Sequence, residues 1–121
     1  AFRYTTALAP PLCASALAAL NLIKSNPSWS SELKNKSIDL RDRLSQIGWQ
    51  RPAGEGPIIS IILGSDELAM DYQKKLEVEG LLAVPIRPPT VPEGQSRLRL
   101  VLRRNTPVQT FERLTKVLQN K

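Results

Sequence analysis

Two arginines on one predicted strand are the side chains of this sequence best suited to bind an anion. Arg97 and Arg99 stand two positions apart in a run that alternates apolar and polar residues, so both lie on one face of the strand. A guanidinium group donates two parallel hydrogen bonds to a carboxylate or a phosphate and so fixes its orientation. The pattern by itself leaves two interpretations open: an anion site on this face, or two arginines that are solvated or paired with surface acids, as arginines on a strand more often are.

A proline-rich segment precedes this strand and carries two further polar candidates. Arg87 and Thr90 lie within Arg87–Pro92, in which prolines restrict the backbone. A stiff segment loses little entropy when it holds a side chain against a ligand. We therefore predict that Arg87 and Thr90 belong to the same candidate site as Arg97 and Arg99.

A second candidate site precedes the first predicted helix. Thr5 and Thr6 come shortly before Pro10-Pro11, which is a favourable helix start. Hydroxyl groups and free backbone N–H groups at such a start can bind a phosphate. The alternative is an ordinary hydroxyl-rich turn.

Composition excludes several classes of enzyme and site. The chain of 121 residues has no histidine, so it cannot supply a Ser-His-Asp triad, a Cys-His pair or a histidine zinc site, and no metal site is expected. A lone cysteine, Cys13, excludes an internal disulfide and suits a reducing compartment, and its apolar neighbours predict a core position. The uncharged stretch from Tyr4 to Ile23 contains Pro10-Pro11 and many alanines, which argues against a membrane span. We expect a cytoplasmic protein.

Apolar spacing predicts two helices in the first half of the chain. The first runs from about Pro11 to Ser25, and its alanines predict that another element packs closely against it. The second begins after a cap at Ser30 or Ser31. Its charge run from Lys34 to Arg43 is interpreted as a solvated helix face, because acidic and basic residues alternate there.

Three strands are predicted in the second half. Ile58–Leu63 is apolar without alternation, which predicts a strand at the centre of its sheet with both faces covered. Leu81–Ile86 contains Pro85, which cannot donate a ladder hydrogen bond and therefore indicates an edge strand. Ser96–Leu102 alternates cleanly, so one of its faces is expected to meet the helices.

Two more helices complete the predicted order. One ends at Gly80, and the last opens with the capping box Thr106–Gln109. The order helix, helix, strand, helix, strand, strand, helix predicts a small α+β domain of about three mainly antiparallel strands with helices on one face. We assign residues 1–25 to an interdomain segment and helix, and residues 26–121 to the small domain.

Three segments carry a resemblance to a known family. They are Phe-Arg-Tyr-Thr-Thr-Ala-Leu-Ala-Pro-Pro at 2–11, Ile-Arg-Pro-Pro-Thr-Val-Pro at 86–92 and Arg-Leu-Arg-Leu at 97–100. Together they resemble the C-terminal part of the 8-amino-7-oxononanoate synthase family, which belongs to the α-oxoamine synthases. This resemblance implies the aspartate-aminotransferase-like fold and pyridoxal 5'-phosphate (PLP) as cofactor.

The resemblance also implies an activity and residue roles. A complete enzyme of this family condenses L-alanine with a pimeloyl thioester of coenzyme A or a carrier protein, with loss of CO2, in biotin synthesis. It works as a homodimer with shared active sites. By this likeness Arg99 binds the amino-acid carboxylate, Thr90 contacts substrate and Arg87 lies in the same motif, while Thr5 and Thr6 reach the cofactor phosphate of the neighbouring subunit.

The residues that carry the family's covalent chemistry are not found in this sequence. The family's Schiff-base lysine belongs to a large domain, and no lysine here lies in that motif, so we expect the 121-residue chain alone to be inactive. Two alternatives stay open. One is another α-oxoamine synthase, of the glycine C-acetyltransferase or 5-aminolevulinate synthase type; the other is a basic nucleic-acid-binding module that uses Arg97, Arg99, Arg103 and Arg104.

Overall fold

The computed structural model describes residues 7–119, which divide into two compact units at Ser31/Glu32. Helix α1 (Pro10–Ser25) lies in the first unit, and helix α2 (Ser28–Gln46) begins there. Strand β1 (Ile58–Gly64), helix α3 (Asp66–Val78), strands β2 (Val84–Ile86) and β3 (Ser96–Val101) and helix α4 (Val108–Gln119) follow in the second unit. The predicted order of elements and the α+β class are confirmed.

Helix α1 begins at a proline, as the Pro-Pro pair predicts, and ends where Asn26 donates from its side chain to the Leu22 carbonyl at 2.8 Å. None of its residues is buried, and the Cys13 side chain is exposed. The prediction of a core position for Cys13 is therefore wrong for this chain. An alanine- and leucine-rich stripe favours helix formation, but only a second element packed against it can bury it.

The three strands form one antiparallel sheet in the order β1-β3-β2. The edge position predicted for the proline-containing strand β2 is confirmed, although the strand begins at Val84 rather than at Leu81. The central position predicted for β1 is wrong, because β3 occupies the centre. In strand β1 only Ile59 and Ile61, which alternate along the strand, are buried. Its apolar residues therefore cover the core on one face and remain accessible on the other.

The helices of the second unit cover one face of the sheet. Ile59, Ile61, Leu98 and Leu100 point to that face. They form one core with buried residues of the three helices and of two loops, which are Leu40, Leu44, Tyr72, Leu76, Ala83, Leu102, Phe111, Leu114 and Leu118. Burying a side chain of this size contributes about 1.5–3 kcal/mol, so this layer supplies the main stabilisation of the unit. The opposite face of the sheet, called the open face below, is not covered by these helices.

Helix ends differ from the expected caps in two places. Helix α2 begins at Ser28, ahead of the predicted cap at Ser30 or Ser31. The hydroxyl of Thr106 accepts a hydrogen bond from the Arg103 backbone N–H at 3.0 Å, so this side chain stabilises the turn before α4. Within residues 7–119, no helix is long and apolar enough to span a bilayer.

Candidate substrate-binding site

Strand register determines which side chains share the open face. Arg99 on β3 stands opposite Ser60 on β1 and Val84 on β2. Arg97 stands opposite Ile62 and Ile86 in the next row. Because directly opposed residues of antiparallel strands project to the same side, both arginines lie among mainly small or apolar neighbours on one surface. The predicted common face of Arg97 and Arg99 is confirmed.

The two arginines differ in their hydrogen bonds. Arg97 donates from Nε to the Gln95 carbonyl at 2.9 Å and makes a long contact of 3.5 Å with the Gln95 side-chain oxygen. Across residues 7–119, the guanidinium of Arg99 has no hydrogen-bond or ion-pair partner, and its side chain is exposed. The whole planar donor fork of Arg99 is therefore available to a carboxylate.

The proline-rich segment forms the turn that connects β2 to β3. Arg87 directly follows β2, and its carbonyl accepts a hydrogen bond from the Thr90 backbone N–H at 3.0 Å. This bond closes a turn across Pro88 and Pro89, so the structure brings Arg87 and Thr90 together, and both are exposed. Arg99 lies three residues into β3, about 10 Å along the sheet from the end at which this turn stands.

The far end of the same connection is held by a partly buried hydrogen bond. Ser96, the first residue of β3, is fully buried and donates from its hydroxyl to the carboxylate of Asp66, the first residue of α3. Gly64 sits beside this contact at a bulge in the β1–β3 ladder with φ of +87°, a conformation that favours glycine. The hydrogen bond ties the start of β3 to the start of α3, and it thereby anchors the loop that carries Arg87 and Thr90.

A buried arginine shapes the border of the open face. Arg41 on α2 is only 1% exposed and donates to the carbonyls of Ala53, Gly56 and Ile58 at distances of 3.0 to 3.3 Å. It also donates to the Ser37 carbonyl and hydroxyl. Arg41 therefore ties α2 to the loop before β1. Burial lowers the pKa of the Arg41 guanidinium, and the positive charge of Arg51 lowers it further.

Arg41 corrects the interpretation of Lys34–Arg43 as a solvated face, because Ser37, Leu40, Arg41 and Leu44 are buried together. Their spacing of i, i+3, i+4 and i+7 is that of a core-facing helix stripe, and this signal could have identified Arg41 from the sequence. The outer face of α2 is solvated as expected. There, the hydrogen bond from Lys34 at 2.6 Å holds the pKa of the Glu55 carboxyl below its usual value.

A groove of about 320 Å³ runs along β1 on the open face. Its floor includes Ser60 and Ile62, the cross-strand neighbours of Arg99 and Arg97. The segment from Trp49 to Ala53 forms its outer wall, and Arg97 lines it from β3. The groove therefore extends along β1 from Ile58 to Ile62 and passes the rows of both Arg99 and Arg97.

The two predicted phosphate-binding threonines cannot be placed. Thr5 and Thr6 lie outside the described residues. Within the described part of the chain, no three His, Cys, Asp or Glu side chains are grouped so that they could hold a metal ion. The roles assigned to Arg87, Thr90 and Arg99 stay predictions at this point.

Comparison with known proteins decides the family. The model of the family Aminotransferase class I and II matches residues 1–118 of this sequence. The chain belongs to this family. This chain superimposes on part of the solved 8-amino-7-oxononanoate synthase from Francisella tularensis with a TM-score of 0.81 at 23% sequence identity. The match covers 96% of this chain and 34% of that one. The serine palmitoyltransferase of Sphingomonas wittichii matches with a TM-score of 0.82 at 23% identity, over 96% of this chain and 30% of that one.

Curated relatives are more similar in sequence. The 8-amino-7-oxononanoate synthase of Beijerinckia indica subsp. indica is 47% identical over 96 residues, which cover 79% of this chain and 24% of that protein. The corresponding synthase of Lysinibacillus sphaericus is 37% identical over 117 residues, which cover 97% of this chain and 29% of that protein. The aminotransferase-family chain thus spans 24% to 29% of the length of these two relatives.

Proposed function

We propose that this chain is the C-terminal part of an 8-amino-7-oxononanoate synthase. The complete enzyme would condense L-alanine with a pimeloyl thioester, releasing CO2 and the free thiol of coenzyme A or of a carrier protein. The observation that carries the proposal is the unpartnered Arg99 guanidinium on the open face, in a chain whose similar relatives are synthases of this name. Biotin synthesis is the metabolic role that follows.

Arg99 has the geometry required of a carboxylate-binding residue. Its neighbours Leu98 and Leu100 are buried on the helix side, which forces the Arg99 side chain toward the open face. Two parallel hydrogen bonds from its guanidinium would hold both oxygens of the alanine carboxylate, and would orient the Cα–carboxylate bond that breaks. Arg87 and Thr90 would contribute from the adjoining turn, where the prolines limit their motion.

PLP, bound mainly by the rest of the protein, would supply the electron sink for negative charge at the alanine Cα. We propose that this chain contributes contacts to the PLP phosphate, which Thr5 and Thr6 would bind in the neighbouring subunit of a homodimer. PLP is present in a solved serine palmitoyltransferase whose fold matches this chain with a TM-score of 0.82 at 20% identity. The family lysine would come from outside this sequence.

The decisive experiment is a substrate comparison with the complete protein and PLP. Release of free thiol and of CO2 is measured with L-alanine and pimeloyl-CoA or a pimeloyl carrier protein, and with glycine and acetyl-CoA or succinyl-CoA. We expect turnover with alanine and the pimeloyl thioester. Efficient turnover of glycine with acetyl-CoA or succinyl-CoA, and none of alanine, would assign the enzyme to another branch of the α-oxoamine synthases.

Replacement of Thr6 tests the proposed phosphate contact. A hydrogen bond to a charged group contributes about 1.5–3 kcal/mol, so Thr6→Val in the complete enzyme should raise the dissociation constant of PLP about tenfold or more. PLP retention is measured by its absorbance after dialysis. Ser15→Ala is the control, because the exposed Ser15 hydroxyl donates only to the Pro11 carbonyl of its own helix. Equal PLP retention by both variants would remove Thr6 from the phosphate site.

A further inference from the structure

The groove along β1 is lined by residues to which the proposed function assigns no role. Two cationic side chains, Arg51 and Arg97, line it, and no acidic side chain does. The carboxylate of Asp42, which does not line the groove, accepts a hydrogen bond from Arg51 Nε at 2.8 Å and is half exposed. Asp42 partly compensates the charge of Arg51, whereas Arg97 has no ion-pair partner among residues 7–119, so the net positive charge beside the groove favours an anionic group in its interior.

Both arginines are held by their Nε atoms; the Nη2 atom of Arg97 also makes a long contact of 3.5 Å with the Gln95 side-chain oxygen, which leaves its Nη1 atom for a ligand. Arg51 is fixed through the bond from its Nε to Asp42, and Arg97 through the bond from its Nε to the Gln95 carbonyl. An arginine positioned in this way loses less side-chain entropy when its terminal Nη groups bind a carboxylate. Arg97 is also partly buried, which reduces the competition from water.

The rest of the groove is suited to a hydrocarbon chain. Ile58 and Ile62 project into it from β1 and remain 56% and 49% exposed, and Pro52 and Ala53 contribute to the opposite wall. Exposed β-branched side chains on one strand face, here on either side of Ser60, gain free energy when an alkyl chain covers them. Apolar walls together with two arginines therefore fit an acyl chain that ends in a carboxylate.

The position of the groove relates it to the proposed alanine site. Ser60 lines the groove and is also the direct neighbour of Arg99, while Ile62 is the neighbour of Arg97. Arg97 and Arg99 are two strand residues apart, about 7 Å along the same face. An acyl chain whose thioester carbon reacts next to the Arg99-bound amino acid would run along β1 toward Arg97.

We propose that this groove binds the acyl chain of the thioester and that Arg97, assisted by Arg51, binds its distal carboxylate. The two arginines are then specificity-determining residues that distinguish a dicarboxylic acyl group from a simple fatty acyl group of equal length. The inference rests on the proposed function, because it assigns a place to the second substrate of the same reaction. Arg99 holds the carboxylate of the amino acid, and Arg97 holds the one at the far end of the acyl chain.

The test compares two thioesters in the complete enzyme with PLP and L-alanine. Pimeloyl-CoA carries the distal carboxylate, and heptanoyl-CoA has the same chain length with a methyl end. We expect Arg97→Gln to lower kcat/KM for pimeloyl-CoA about 10- to 100-fold, because the variant loses a hydrogen bond between two charged groups. For heptanoyl-CoA, kcat/KM should change about twofold at most. Arg51→Gln should have a smaller effect of the same kind, about 3- to 10-fold, because Arg51 is half exposed.

Two further variants keep the experiment decisive. Arg97→Lys retains the charge without the planar fork, so it should recover part of the preference for pimeloyl-CoA. Arg103→Gln removes an exposed arginine that follows β3 and should leave both substrates unchanged. Heptanoyl-CoA turnover by Arg97→Gln shows that the variant is folded.

Each outcome supports or overturns a specific claim. A parallel loss with both thioesters, or no loss with either, overturns the assignment of Arg97 to the distal carboxylate while the proposed function stands. If the unaltered enzyme turns over neither thioester with alanine, the proposed function fails and this inference fails with it. A loss confined to pimeloyl-CoA supports the site.

Discussion

Arg99→Ala in the complete enzyme is expected to lower kcat/KM for L-alanine about 30- to 1000-fold, which corresponds to about 2–4 kcal/mol. The loss follows from the geometry of β3, where Arg99 offers an unpartnered guanidinium fork on the open face. Alanine that is no longer held by its carboxylate oxygens would lose both affinity and the orientation of the bond that breaks. Steady-state kinetics with varied alanine and saturating pimeloyl thioester measure the effect.

Two companion variants show whether the effect belongs to this guanidinium. Arg99→Lys keeps a positive charge and loses the two parallel donors, so it should restore only part of the activity. Arg103→Ala removes another exposed arginine just beyond the same strand and should leave kcat/KM for alanine unchanged. The absorption spectrum of bound PLP should stay the same in all three. A normal alanine response in Arg99→Ala would mean that another residue binds the carboxylate.

Arg41→Met is expected to lower the free energy of unfolding of the complete protein by about 3–5 kcal/mol. The substitution keeps an apolar stem of similar length and removes every donor, so the carbonyls of Ala53, Gly56 and Ile58 lose their shared partner. Each lost hydrogen bond to a charged group is worth about 1.5–3 kcal/mol, and the losses overlap because one side chain makes them all. Denaturant unfolding followed by tryptophan fluorescence measures the change.

Arg43→Met is the matched control on the same helix. Arg43 makes an i,i+4 ion pair with Asp39 at 3.0 Å and is partly exposed, so its loss should cost about 0.3–0.5 kcal/mol. An Arg41→Met variant as stable as Arg43→Met would show that water can replace the buried guanidinium. Weaker binding of pimeloyl thioester by Arg41→Met is also expected, because Arg41 holds the Ala53 wall of the groove.

Local pattern predicted the features of this chain that depend on neighbours in sequence. Alternation of Leu98 and Leu100 with Arg97 and Arg99 determines that both arginines share a face, since successive side chains of a strand project to opposite sides. A proline between strand residues predicted the edge position of β2, because proline has no N–H for the ladder. The order of the seven elements followed from the same short-range signals.

Features that depend on distant parts of the chain were decided by the tertiary structure. The apolar run of β1 is compatible with a central or an edge strand, and only its pairing with β3 leaves Ile58 and Ile62 on an open face. Cys13 has apolar neighbours whether or not another element covers α1. The spacing of buried residues places Arg41 on the core-facing stripe of α2, but only the folded chain brings the carbonyls of Ala53, Gly56 and Ile58 to its guanidinium. Burial and long-range hydrogen bonds each require two segments that are distant in sequence. The residue pattern of one segment does not show which other segment packs against it.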